Sequence, residues 1–252
     1  MLLVIVMCPN ILILLAPILV VIPMGLSTDS MLSWPPRGMT FHWYGQLFNS
    51  PQWMDAAQNS AAVAAVTTIM CLIFGLPAGL ALGIQNWRGQ SLFLGLSTAP
   101  LIFPHIVLAI GMYQAYVQLG LNDFWGLTAG HFVTCVPFVV ITAMSGAKQM
   151  SPVLMLAARG LGAGPLQVLW YVILPSVRPA ILFGAVLAFM TSWDEVVIAN
   201  YLTTPTFRTI PVQMWAELTE LFDPTVAAMA SILFAAATAL TAAMMLVRSK
   251  AK

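Results

Sequence analysis

The sequence has very few charged residues. Only 7% of its 252 residues are Asp, Glu, Lys or Arg, whereas 60% are hydrophobic; a soluble domain has roughly 25% charged residues. This composition excludes an ordinary soluble domain. There is also no basic patch with interleaved aromatic residues, which nucleic-acid binding would require. We therefore expect a polytopic membrane protein.

The common catalytic and cofactor motifs are missing as well. No Gly-rich loop ends in Gly-Lys-Ser/Thr, so the chain cannot hold ATP phosphates by itself, and there is no His-Glu-x-x-His metal pair. The three cysteines, Cys8, Cys71 and Cys135, lie in apolar runs without paired spacing, which favours buried inert thiols. We expect neither an enzyme nor a metal or cofactor bound to this chain.

Long apolar runs are what the sequence does contain. A bilayer core of about 30 Å takes roughly 20 helical residues to cross. Prolines at 77, 104 and 137 interrupt three of the runs, which favours a packed all-α bundle around a cavity. Six transmembrane helices are expected, near residues 2–24, 59–84, 91–117, 126–147, 179–202 and 226–247.

The placement of charge predicts the orientation. With a cytoplasmic N-terminus, seven of the nine basic residues fall on the inner side, and only Arg37 and Arg208 lie outside. The first run lacks a basic n-region and an evident cleavage site, so it is interpreted as a retained span. We expect a multi-pass protein of the bacterial inner membrane with both termini in the cytoplasm.

The most specific pattern lies between the fourth and fifth runs. It reads Leu156-Ala157-Ala158-Arg159-Gly160-Leu161-Gly162 and, after nine residues, Val172-Ile173-Leu174-Pro175. This spacing resembles the EAA loop of ATP-binding-cassette (ABC) importer permeases, although Leu156 stands where that family usually has its glutamate. Pro175 is expected to end one segment before Pro179 opens the next.

The resemblance implies a type I ABC importer permease fold, in which residues 1–252 form a single transmembrane domain with an ATPase-docking loop at about 150–178. It also implies a cassette ATPase dimer that holds ATP-Mg, a sister permease subunit and an extracytoplasmic substrate-binding protein. The residues that it assigns to ATPase coupling are Ala157, Ala158, Arg159, Gly160, Gly162, Leu174 and Pro175.

The outer segments carry a second resemblance. Pro36, Gly38, Trp43-Tyr44 and Asn59-Ser60 are arranged as in the first outer loop of spermidine/putrescine permeases. From Val212 to Phe222 a short amphipathic helix is predicted, on the membrane surface or at the mouth of the bundle. Its expected role in the family is to meet the binding protein.

Two adjacent acids in the fifth run, Asp194 and Glu195, are the main candidates for a substrate site. A charged residue at the centre of a membrane helix costs roughly 2.5 to 3.5 kcal/mol, so it is functional by default. The segment resembles the Ser-x-Asp-Asp/Glu stretch in which polyamine permeases place substrate-recognising acids. Depth leaves an alternative open, because the pair lies close enough to the outer boundary to snorkel there.

Aromatic residues accompany the acids. Trp193 and Tyr201 flank them, and an ammonium group over an aromatic face gains roughly 0.5 to 2 kcal/mol. His105 is the other polar candidate, interpreted either as a packing residue or as part of the site. Polyamine permeases are expected to have an acid at that position. His42 and His131 are given no role.

The sequence thus predicts the permease subunit of an ATP-driven importer for a small organic cation, most simply a polyamine. Two alternatives stay open. One is an importer of another small solute, such as an opine or an amino-acid derivative. The other is a secondary transporter or channel in which the two acids carry protons or cations, and the docking-loop spacing argues against it.

Overall fold

The computed structural model describes residue 13 and residues 16–121, 123–220 and 222–250, with side chains up to residue 238. These residues are almost entirely helical, and their one β-type pairing is an isolated bridge between Thr204 and Phe207. Helix α1 covers residues 16–24. The others are α2 (His42–Asn49), α3 (Pro51–Ile84), α4 (Gln90–Thr98), a 3₁₀ turn (Ala99–Leu101), α5 (His105–Leu119), α6 (Asp123–Gln149), α7 (Pro152–Gly160), α8 (Pro165–Val168), a π-helical turn (Leu169–Ile173), α9 (Leu174–Trp193), α10 (Val197–Leu202), α11 (Ile210–Glu220) and α12 (Thr225–Lys250).

Two compact units make up the described chain. One contains the residues up to Asp55 together with those from Gln213 onward, and the other is Ala56–Val212. In the first unit α2 packs against α12. A Cβ atom on Gly25 would lie 2.8 Å from the Ala228 backbone nitrogen, so only glycine fits there. The second unit contains the longest apolar helices and the candidate site.

Three described helices are long and apolar enough to cross a membrane: Pro51–Ile84, Asp123–Gln149 and Pro165–Trp193. The segments Gln90–Leu101 and His105–Leu119 would add a fourth span if they count as one, although they meet at an angle of 98°. Pro104 lies at this bend, as the sequence predicts, whereas α3 and α6 continue through Pro77 and Pro137. The expected first span lies mostly outside the described residues, and the count of six stays a prediction.

Small residues bring α3 and α6 into close contact. Gly75, Gly79 and Gly83 are spaced four apart and therefore share one face of α3. A Cβ atom on Gly79 would lie 2.5 Å from the Val140 carbonyl oxygen, and one on Gly83 would lie 2.5 Å from the Ala147 Cβ atom. Membrane helices associate largely through such close packing, because the hydrophobic effect does not drive helices together within lipid.

The fifth apolar segment differs from the prediction. Pro175 does not end a helix; instead the helical path runs without interruption from Pro165 to Trp193. A proline ring in a regular α-helix collides with the carbonyl four residues earlier, and the wider π-helical turn that precedes Pro175 relieves this crowding. The predicted span 179–202 also breaks early, since α9 ends at Trp193.

Two other predictions about the elements are confirmed. Cys71 and Cys135 are fully buried free thiols in one apolar cluster with Val139 and Ala188, while Cys8 lies outside the described residues. The amphipathic helix predicted for 212–222 is present as α11.

Candidate functional site

The candidate site is built around a break in the helical path. Helix α9 ends at Trp193, and α10 begins at Val197. Asp194 is the C-cap of α9, and its backbone N–H donates to the Met190 carbonyl oxygen at 3.1 Å. The last carbonyl groups of a helix carry a partial negative charge. An exposed carboxylate at this end therefore makes the break a locally negative surface.

Glu195 occupies the interior of the break. Its Oε1 accepts a hydrogen bond from the Val197 N–H at 3.1 Å, and its Oε2 accepts one from the Ala199 N–H at 3.0 Å. These are two of the N–H groups that the first turn of α10 leaves without partners. The side chain is only 4% exposed. Glu195 therefore fixes the start of α10 from within the protein.

Two histidines from other helices flank the same carboxylate. His105, at the start of α5, places its Nδ1 3.5 Å from Glu195 Oε1, and His131 of α6 places its Nε2 3.7 Å from Oε2. The His131 side chain is 1% exposed, and its Nδ1 lies 2.8 Å from the Ser192 Oγ. A buried carboxylate is costly unless polar groups surround it, and here two backbone N–H groups and two imidazoles do so.

The other predicted site residues lie around this cluster without joining it. Asp194 is exposed. Trp193 stacks on Phe189 of the same helix, with ring centroids 5.7 Å apart. Tyr201 is 40% exposed on α10. The structure therefore brings Glu195 and His105 together, whereas no hydrogen bond, ion pair or ring contact links Trp193 or Tyr201 to either of them within the described residues.

Sequence reasoning missed His131 and Ser192. Each was a single polar residue in an apolar run, and the pattern gave no reason to join them to Glu195. One signal was available: Thr128, His131 and Thr134 recur at intervals of three along α6, and all three are buried. A polar row on a membrane helix indicates a polar interior rather than lipid.

The predicted ATPase-docking segment ends in a specific turn. Ala157, Ala158, Arg159 and Gly160 lie in the last two turns of α7. The Gly162 N–H donates to the Arg159 carbonyl and the Ala163 N–H to the Ala158 carbonyl, both at 3.0 Å. This is the hydrogen-bond pattern of the Schellman motif, which requires a left-handed residue after the helix. Gly162 meets this requirement with φ +87.

Helix α7 is mostly exposed. Leu156 is 66% and Leu161 90% exposed, and Val153 and Leu154 also present their side chains to the surface. A Cβ atom on Gly160 or Gly162 would meet nothing within 4 Å. The remaining coupling residues, Leu174 and Pro175, begin α9.

The segments that the sequence predicts on the outer side are held by their own hydrogen bonds. In the first unit Trp43 donates its indole N–H to the Ser27 carbonyl at 2.7 Å. A hydrogen bond from Ser33 lowers the pKa of Asp29 below its usual range. In the second unit the Asn59 side-chain amide donates to the Arg208 carbonyl at 3.1 Å, and the Ile210 N–H donates to the Ser60 Oγ at 2.8 Å.

The described chain has long apolar helices, a buried polar cluster at a helix break and an exposed apolar loop helix. This combination is typical of a helical membrane protein of the transport class. The family model described as "Binding-protein-dependent transport system inner membrane component" matches residues 75–251. The chain belongs to this family. It is accordingly a membrane-embedded permease subunit of an importer and not itself an enzyme.

Curated relatives support the same assignment. The spermidine/putrescine transport system permease protein PotC of Escherichia coli K12 is 31% identical over 219 residues, which cover 86% of this chain and 82% of PotC. The putrescine transport system permease protein PotI of the same organism is 27% identical over 230 residues, which cover 88% of this chain and 81% of PotI.

Two solved structures share the fold. One is a bacterial ABC transporter involved in the import of the acidic polysaccharide alginate, with a TM-score of 0.73 and 22% identity over 97% of this chain and 94% of that one. The other is the MetNI methionine ABC transporter in an inward-facing conformation, with a TM-score of 0.65 and 18% identity over 84% of this chain and 99% of that one. Their different substrates indicate that this fold alone does not define what is carried.

Proposed function

We propose that this chain is the permease subunit that passes a small organic cation, in the first place a polyamine such as spermidine or putrescine, through an ATP-driven importer. The observation that carries the proposal is the pair of acids at the break between α9 and α10, in a chain whose relatives are named as spermidine and putrescine permeases. Asp194 is the exposed C-cap residue of α9, and Glu195, which is buried, follows it in the chain.

The substrate site that we propose consists of Asp194, Glu195, Trp193, Tyr201 and His105. Asp194 supplies the negative charge, and the half-exposed rings of Trp193 and Tyr201 supply apolar surface beside it. His105 reaches the same place through its contact with Glu195.

The partners follow from the importer assignment. A dimer of cassette ATPases would hold ATP-Mg and receive α7 within a docking loop at about 150–178. The exposed leucines of α7 support this, because an apolar surface of that kind on a loop helix is typical of an interaction site. A sister permease would complete the membrane path, and an extracytoplasmic binding protein would deliver the substrate.

In the arrangement that we propose, six spans cross the bacterial inner membrane with both termini in the cytoplasm. The distribution of basic residues supports this orientation. Reporter fusions after residues 88, 159 and 208 test it. Cytoplasmic reporters at the first two positions and an external one at the third are expected, and the reverse pattern would contradict the orientation.

An importer for a different small solute is the second candidate. His105 favours it, because an imidazole where polyamine permeases are expected to have an acid leaves one negative charge fewer at the site. A monocation or a zwitterion would suit such a site better than a diamine.

Uptake by the reconstituted importer tests the proposal. Proteoliposomes that contain both permeases and the ATPase are supplied with the binding protein and labelled putrescine, spermidine, amino acids or opines. ATP-dependent uptake of the amines supports the polyamine proposal, whereas uptake of only the amino acids or opines supports the second candidate. Uptake that follows a proton gradient without ATP would favour a secondary transporter and contradict both.

A further inference from the structure

Asp123 joins three elements at the start of α6. Its Oδ1 accepts a hydrogen bond from the Tyr116 hydroxyl of α5 at 2.7 Å, and its Oδ2 accepts one from the Thr204 hydroxyl in the segment after α10. The Thr204 hydroxyl lies 3.0 Å from that of Thr206. Since the Thr204 proton goes to Asp123, Thr206 is the donor in this second contact. Both oxygens of Asp123 therefore bind hydroxyl groups from other elements.

Gly126 makes room for the Tyr116 ring beside α6. A Cβ atom on Gly126 would lie 1.9 Å from the Tyr116 Cδ2 atom, which is far too close for any side chain. Gly126 is three residues after Asp123, so the two positions share one face of the helix. The glycine thus admits the ring to the surface of α6, where its hydroxyl reaches the carboxylate.

The segment after α10 is a tight turn that α6 holds at two points. The Phe207 N–H donates to the Thr204 carbonyl at 3.0 Å, which closes a four-residue turn with Pro205 at its second position, where proline is favoured. Thr204 binds Asp123, and the Phe207 ring meets the Phe124 ring edge-on, with centroids 6.3 Å apart. Two adjacent residues of α6 therefore hold this turn.

Helix α10 is consequently held at both of its ends. The Glu195 carboxylate accepts N–H groups of its first turn, and the turn bound to Asp123 follows its last residue. Between these ends α10 packs closely on α6, since a Cβ atom on Gly130 would lie 2.7 Å from the Leu202 Cδ1 atom. A helix of six residues is too short to be stable by itself. Its position therefore depends on these contacts.

We propose that Asp123 is a positioning residue for the substrate site. By holding the turn Thr204–Phe207 against α6, it fixes α10 and with it the break after α9 at which Asp194 lies. This inference rests on the proposed function, because it takes the break as the place where the substrate passes. Asp123 itself makes no contact with the substrate. Loss of its hydrogen bonds should leave the α7 docking segment intact, while α10 shifts and less substrate is carried for each ATP hydrolysed.

The test measures ATP hydrolysis and putrescine uptake by the assembled importer in proteoliposomes, with saturating loaded binding protein. Uptake is expressed per ATP hydrolysed. A general loss of folding lowers the amount of active complex and so lowers both rates together, whereas a misplaced α10 lowers their ratio. The ratio therefore separates a positioning role from a merely structural one.

Five variants and two controls are compared. The controls are Tyr113→Phe on α5 and Asp55→Ala on α3; both residues are exposed, and neither makes a hydrogen bond or an ion pair with another described residue. The variants are Asp123→Ala, Asp123→Asn, Tyr116→Phe, Thr204→Val and the double variant Tyr116→Phe/Asp123→Ala.

Tyr116→Phe and Thr204→Val should each lower uptake per ATP roughly threefold, as for one lost hydrogen bond, and Asp123→Ala, which loses both, roughly tenfold. The double variant should match Asp123→Ala, because the Tyr116 hydroxyl acts through that carboxylate. Asp123→Asn should retain most of the ratio, since its amide oxygen still accepts from one hydroxyl and its NH₂ group can donate to the other. Both controls should match the wild type.

Three results would overturn the inference. A wild-type ratio in Asp123→Ala would show that these contacts do not position the break. Equal losses in Asp123→Asn and Asp123→Ala, with Tyr116→Phe unaffected, would show that the charge itself is required. A further loss in the double variant would show that Tyr116 and Asp123 act separately. If Asp123→Ala does not assemble, Tyr116→Phe and Thr204→Val decide, and wild-type ratios in both would overturn the inference.

Failure of the proposed substrate class gives a different result. If the wild-type importer carries amino acids or opines and no amine, the polyamine proposal fails by itself. The same variants, measured with the solute that is carried, then decide whether Asp123 has the positioning role.

Discussion

At the scale of single residues, the buried polar side chains around Glu195 lie in contact with one another. His131 is completely buried, yet its Nδ1 lies at hydrogen-bond distance from the Ser192 Oγ, and its Nε2 is directed toward Glu195. Glu195 in turn accepts two backbone hydrogen bonds. Since a buried polar atom without a partner costs free energy, each member of this chain of contacts depends on the next.

Removal of the Ser192 hydroxyl should therefore destabilise the subunit. Ser192→Ala leaves a fully buried imidazole nitrogen without its partner, at an expected cost of about 1–3 kcal/mol. The matched control is Ser176→Ala on the same helix, where an exposed hydroxyl donates only to the Val172 carbonyl; its effect should stay within about 0.5 kcal/mol. Thermal unfolding of the purified subunit in detergent measures both, and equal shifts would show that the His131–Ser192 contact contributes nothing.

Gly162 matters because of its backbone conformation. With φ +87 it closes the Schellman motif after α7, and open space surrounds the position of a Cβ atom. Gly162→Val should distort the turn, because a β-branched residue is strongly disfavoured there, and should lower ATP-dependent uptake severalfold at normal membrane insertion. Gly162→Asn should retain most of it, since asparagine tolerates the left-handed region. If both variants behave alike, the glycine is needed for something other than this turn.

At the scale of elements, glycine and proline do not break the long helices of this protein, although both residues commonly interrupt helices in soluble proteins. Glycines at intervals of four draw α3 against α6, and the helical path from Pro165 to Trp193 passes through two prolines with the help of one π-helical turn. Lipid offers no hydrogen bonds to a broken backbone, so a continuous helix with a local adjustment is favoured over a loop.

The α3–α6 contact should be sensitive to side-chain size at a single position. Gly79→Leu places a large side chain against the Val140 carbonyl and Ala143, and overpacking of this kind typically costs about 1–3 kcal/mol. Gly111→Leu on α5 is the control, because no atom lies within 4 Å of its Cβ position. The melting temperature of the isolated subunit should fall for Gly79→Leu alone. A similar fall for both would mean that the added side chain, not the α3–α6 contact, is responsible.

At the scale of the whole molecule, the exposed surface of α7 and the turn after it should determine association with the ATPase. Leu156 stands at the position where ABC importer permeases usually have glutamate, whereas Leu161 is the most exposed leucine of the segment. Leu156→Glu should therefore preserve co-purification of the ATPase in mild detergent. Leu161→Glu should reduce it severalfold, because a charge would enter an apolar contact. Loss of ATPase co-purification in Leu156→Glu and its retention in Leu161→Glu would contradict the proposed docking surface.

Much about the class of this protein could be predicted from its sequence alone. A composition of 60% hydrophobic and 7% charged residues indicates that the protein lies in a lipid bilayer. Only helices or closed β-barrels can span a bilayer. Local spacing predicts the docking segment, and apolar surroundings correctly predicted that two cysteines are buried. These features depend on residues close together in the chain, so a single sequence was sufficient to predict them.

The tertiary structure alone decided the arrangement around Glu195. The carboxylate meets His105 and His131, which come from helices far away in the sequence, and a local pattern carries no information about such contacts. The sequence alone could also not predict that the helix continues through Pro175 and breaks after Trp193. Each feature depends on whether packing satisfies the backbone groups that a proline or a helix end leaves free. The sequence determined which residues are polar within the membrane, and only packing decided that Glu195 is enclosed while Asp194 is exposed.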